Sequence, residues 1–136
     1  MQSKNHAVLE GAIVMARETG AEAVLLAAAL PEEAAYLRRA LGSRLRVITT
    51  AINGESQTVH DGDVLALPEI KLRRRGRAKI ALLEGLAAGL LHQDERVIVV
   101  SGDASDGECE LDTVAIVELR TDEDYLDAQA GASLDA

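Results

Sequence analysis

Phenylalanine and tryptophan are missing from this chain of 136 residues, and Tyr36 and Tyr125 are its only aromatic side chains. Nothing is left on which successive nucleic-acid bases could stack, and a formal net charge of -9 adds repulsion to that deficit. Nucleic acid is therefore not an expected partner. A single cysteine, Cys109, forbids an internal disulfide. The start, Met1-Gln-Ser-Lys-Asn-His6, has no apolar signal core, and both observations point to a reducing cytoplasm. No run approaches the roughly 18 apolar residues that cross a bilayer, so no membrane partner is expected. His6, His60 and His92 are scattered, none with a second His or Cys at ligand spacing, so neither a metal nor a cofactor is expected.

What remains is 48% hydrophobic and 27% charged, an ordinary balance for a soluble globular protein. The core has to be built from Ala, Val, Leu and Ile, which demands close approach between helices and sheet. One domain is expected over residues 1–120, followed by an acidic flexible tail, 121–136, too poor in apolar residues to order itself.

Helical spacing of Val8, Leu9, Ala12, Ile13, Met15 and Ala16 predicts a first helix from about His6 to a stop at Thr19-Gly20. The apolar run Ala23–Ala27 reads as the first strand. Pro31-Glu32-Glu33 suits the first turn of a second helix ending near Gly42. Arg46–Thr50 and Val64–Leu67 read as strands two and three, with turn signals at Asn53-Gly54 and Asp61-Gly62 between them. A third helix is expected from about Gly76 to His92, with Ile80, Leu83, Leu86, Ala87 and Leu90 on one face and Gly85 and Gly89 inside it. Arg96–Val100 and Thr113–Leu119 are strands four and five. The polar loop expected between them, Ser101–Asp112, is too short for a crossover helix, so these two strands should run antiparallel. Alternating helices and buried strands imply a three-layer α/β/α fold, whose ligands sit at the carboxyl ends of the strands.

Against the acidic background stands Lys71-Leu-Arg-Arg-Arg-Gly-Arg-Ala-Lys79. Cations at the start of a helix oppose its dipole and cost stability unless something compensates them. Two compensations are open: carboxylates of this chain or a neighbouring subunit, or an anion from outside. On the second reading Arg74 and Lys79 approach the anion, Arg75 and Arg77 flank it, and Ser101 and Gly102 border it from the end of strand four. Gly102-Asp-Ala-Ser-Asp-Gly107 has the spacing of a phosphate cradle but lacks the Lys-Ser/Thr and the helix that a P-loop requires. Asp103, Asp106, Glu108, Glu110 and Asp112 read as a solvated acidic hairpin, and Cys109 between two glutamates is a poor nucleophile. No catalytic residue is assigned.

Gly89-Leu-Leu-His-Gln-Asp-Glu-Arg-Val-Ile-Val-Val-Ser-Gly102, followed by Leu111-Asp-Thr-Val-Ala-Ile-Val117, resembles the end of the pyruvate kinase C-terminal domain. With Leu72-Arg-Arg-Arg-Gly-Arg-Ala-Lys79 leading into it, the chain looks closer still to the N-terminal, pyruvate-kinase-C-like domain of archaeal-type diadenylate cyclases related to the DNA integrity scanning protein. The resemblance covers roughly His6 to Arg120. It implies a mixed five-stranded sheet of order 3-2-1-4-5 with strand five antiparallel, and a diadenylate cyclase-type catalytic domain as a partner. Where pyruvate kinases hold an effector phosphate with Thr, Ser and Gly, this chain reads Ala27-Ala-Ala-Leu-Pro31, so a sugar-bisphosphate effector is not expected. The cyclase's Asp-Gly-Ala and Arg-His-Arg motifs are also absent.

The expectation is thus a non-enzymatic regulatory or assembly domain, homo-oligomeric, that binds a small phosphorylated ligand or nucleotide. Two alternatives stay open. One is an enzyme acting on a phosphorylated small molecule, with Asp103 or Asp112 and a metal supplying the chemistry. The other is a pure oligomerisation scaffold.

Overall fold

The computed structural model describes residues 1–52, 63–67, 74–105 and 108–119. The Asn53 loop, His60, Lys71 to Arg73, Asp106, Gly107 and the tail expected over 121–136 lie outside them. Within them the chain runs α1 (Ser3–Thr19), β1 (Ala23–Leu26), α2 (Pro31–Leu41), a short 3-10 turn (Gly42–Arg44), β2 (Arg46–Ile52), β3 (Asp63–Leu67), α3 (Arg74–Ala87), β4 (Arg96–Ser105) and β5 (Glu108–Glu118). The α/β class read from the alternating pattern holds. No described helix is long and apolar enough to cross a membrane.

The sheet is mixed, with hydrogen-bonded order β3-β2-β1-β4-β5. β1 pairs in parallel with β2 and β4, β2 in parallel with β3, and β4 antiparallel with β5. Because side chains alternate along a strand, each central strand feeds two cores. Val24, Leu26, Val47, Ile98 and Val100 face α1 and α2, where Leu9, Ala12, Ile13, Ala34, Leu37 and Leu41 meet them. Ala23, Leu25, Ile48, Val97 and Val99 face α3, which contributes Ala81 and Leu82. All buried apolar side chains among the described residues are Ala, Val, Leu or Ile, as the missing aromatics required.

Two boundaries differ from the sequence reading. The third helix ends at Ala87, and Gly89 is not inside it. Gly89 has φ 76°, its N–H donates to the Leu86 carbonyl and the Leu90 N–H donates to the Gly85 carbonyl, which together form a Schellman stop. Ala87 is exposed, while Ile80, Leu83, Leu86 and Leu90 of the expected face are partly buried and pack against the core that Ala81 and Leu82 join. The expected polar loop Ser101–Asp112 is a hairpin extension instead: β4 continues to Ser105 and β5 begins at Glu108, with a register shift between Ser101 and Gly102. Asp112 is the extra residue of this bulge, since Ser101 pairs with Thr113 and Gly102 with Leu111. A Cβ on Gly102 would overlap the Glu110 carbonyl oxygen and come within 2.7 Å of Leu111 Cα, so this glycine is demanded by the sheet itself.

At the end of the sheet where the parallel strands begin, charge is paired. Arg46 donates to the Glu95 carboxylate and to the Leu90 carbonyl. Arg96 reaches Glu118 at 2.6 Å and the Thr19 carbonyl, and its N–H donates to the Glu22 carboxylate. Burial pushes the Glu95 carboxyl up. The hydrogen bond from Arg46, the His92 N–H and the Arg46 charge outweigh that and hold it below its ordinary value.

Candidate functional site

The opposite end, where the parallel strands finish, carries the candidate site. Leu25 is level with Ile48 on one side and Val99 on the other. Two residues further on, Ala27, Thr50 and Ser101 therefore share a rung and a face, the face covered by α3. The Ala27 N–H donates to the Val100 carbonyl at 2.9 Å, so β1 and β4 stay paired up to that rung. All three residues are buried. Two hydroxyls thus flank an alanine, on strands about 10 Å apart.

β1 leads into α2 on one face, and β4 receives the chain from α3 on the other. The gap between β1 and β4 is therefore the switch point of the sheet, where open α/β folds form their ligand crevice. Ala27 and Ala28 line its β1 side with the least side chain short of glycine.

The final turn of α3 lies at the paired end of the sheet, because the Leu90 carbonyl accepts from Arg46 at the start of β2. α3 runs antiparallel to the strands, and its first turn comes at the end where they finish. Arg74, Arg75 and Arg77 belong to that turn by backbone, and their side chains lie outside the description. Lys79 is half-buried one turn on. Ser101 is buried at this switch point, and Gly102 is fixed by the bulge beside it. Asp103 and Asp112 stand exposed on the hairpin, each with partners of its own.

Sequence reading missed a second polar cluster on the other face of this rim. Asn5 Nδ2 donates to Glu33 Oε2 at 2.8 Å and to the Cys109 carbonyl at 3.2 Å, while the Leu111 N–H donates to Asn5 Oδ1 at 2.8 Å. Both side chains are buried. One amide therefore ties the starts of α1 and α2 to the hairpin. Spacing held the clue. Glu33 precedes Leu37 and Leu41 by four and eight residues, and Asn5 precedes Leu9 by four, so both polar residues sit on apolar helix faces. The expected start at His6 hid Asn5.

The rim is consequently divided. An acid held by an amide lies on the α1 and α2 side, and the hydroxyls lie on the α3 side. Among the described residues no group of three or more His, Cys, Asp or Glu side chains could hold a metal ion. His6 and His92 are exposed. His6 stacks edge-on against Tyr36 with ring centroids 5.2 Å apart.

No curated protein matches the chain. A protein-family profile described as the probable sensor domain DacZ_P matches residues 4–123, and the chain belongs to that family. The part of the sequence resemblance that pointed to the domain associated with diadenylate cyclases stands.

Proposed function

We propose that this member of the DacZ_P sensor family is a non-catalytic regulatory or assembly domain of pyruvate-kinase-C-like type. It binds a small phosphorylated ligand or nucleotide at the crevice between β1 and β4 and reports it to a diadenylate cyclase-type catalytic domain. The observation that carries the reading is the family match over residues 4–123. The direction of α3 supports it, since the helix start, whose sequence carries Arg74, Arg75, Arg77 and Lys79, brings its free backbone N–H groups to the same rim. The buried Thr50 and Ser101 hydroxyls add short donors on the floor below, with Gly102 at its edge. Arginine suits such a ligand because its fork matches two phosphate oxygens at once.

A thermal-shift series with inorganic phosphate, sugar phosphates, nucleotides and cyclic dinucleotides tests this. A ligand present at a hundred times its Kd stabilises by about 2.7 kcal/mol, which raises Tm by several degrees in a domain of this size. Arg74→Ala should remove that rise. If none of these anions stabilises the protein, the ligand reading is wrong.

A further inference from the structure

The inward face of α1 is filled by Asn5, Leu9, Ala12, Ile13 and Ala16. At 100° per residue, Lys4, Ala7, Gly11, Val14 and Glu18 line the opposite face, and all five are exposed. Their steps of three, four, three and four are the steps of a coiled-coil seam. The outward face of a surface helix ordinarily carries charge. Here charge stands only at the two ends, and the centre is Ala, Gly and Val, with Val14 55% exposed.

Gly11 adds an independent oddity. A glycine inside a helix costs about 1 kcal/mol relative to alanine. A Cβ at Gly11 would meet nothing within 4 Å, so packing within the protomer does not require the glycine and the space over it is open. The end charges indicate what the face meets. Lys4 and Glu18 are equidistant from Gly11 and opposite in sign. Two α1 helices packed antiparallel about a two-fold axis at Gly11 set Lys4 of each copy beside Glu18 of the other. A parallel pair would set like charges together. Lys4 also pairs with Glu110 of its own chain at 3.3 Å, both side chains more than half exposed, and its ammonium keeps donors for a second carboxylate.

We propose that a second copy of this chain docks on the outward face of α1, giving a two-fold dimer in which Gly11 meets Gly11 at the axis and Val14 of each copy packs beside Ala7 of the other. The seam is about 21 Å long, and the same patch serves both copies. The inference deepens the assembly half of the proposed function and is read by a separate measurement from ligand binding, so either can fail alone.

Sedimentation equilibrium of the whole chain across the micromolar range tests it. The wild type should be a dimer and Val14→Arg a folded monomer with an unchanged circular-dichroism spectrum, since the side chain is exposed in the protomer. Lys4→Glu should weaken the dimer roughly tenfold by turning two attractive pairs repulsive, and adding Glu18→Lys should restore it. A monomeric wild type overturns the proposal, as does a dimer that survives Val14→Arg. A dimer separated by Ile116→Lys alone overturns it too, because it would place the contact at β5.

Discussion

The two ends of the sheet solve the problem of polar groups at a strand terminus in opposite ways. Where the parallel strands begin, Arg46, Glu95, Arg96, Glu118 and Glu22 satisfy one another and the backbone around them. Where they finish, the charge and hydrogen-bonding capacity are buried and uneven: Asn5 and Glu33 on one face, Thr50 and Ser101 on the other, with alanines between. A paired, half-exposed end has little left to offer a ligand. A rim with small residues and hydroxyls beside a cationic helix start can still accept one.

The sharpest way to break the contrast is to remove the amide that organises the carboxyl rim. Asn5→Ala strips Glu33 Oε2 and the Leu111 N–H of their partner while both stay buried, and should cost about 3 kcal/mol, read as a lower urea midpoint at constant m-value. Gly102→Ala forces β4 away from β5 at the bulge and should cost about 2 kcal/mol by the same assay. At the paired end the effect should be smaller. Arg46 and Glu95 are partly exposed, so Glu95→Gln should cost about 1 kcal/mol.

The Glu95 variant also sharpens the comparison through pH. The folded carboxyl lies below its ordinary 4.5, so its contribution is complete above that value and is lost as pH falls through the folded pKa. Urea midpoints of wild type and Glu95→Gln should differ at neutral pH and converge as the pH drops below 4.5. Curves that stay parallel would show that the pair contributes nothing titratable.

How legible this was in the sequence depended on the scale of the signal. Strands of Val, Leu and Ile and the Pro31-Glu32-Glu33 helix start announced themselves through period and capping. The short fourth connection was enough to require that β5 turn back on β4. The third helix was overrun because Gly85 and Gly89 look alike in a row of letters, and only backbone geometry tells an interior glycine from a left-handed stop. The bulge at Gly102 was invisible for a related reason: its cause is the approach of Glu110 from another strand. At the candidate site, the cations and Ser101 were found by charge and position. Thr50 was read only as strand, because its place beside Ala27 exists only once the register is known.

The central claim is that ligand recognition belongs to the end where the parallel strands finish. Amide NMR titration of the chain with inorganic phosphate and a cyclic dinucleotide tests it residue by residue. The account predicts shifts at Ala27, Ala28, Ser101, Gly102 and the first turn of α3, with the amides of Glu22, Glu95 and Glu118 unmoved. Shifts confined to those three glutamates and their neighbours would contradict it.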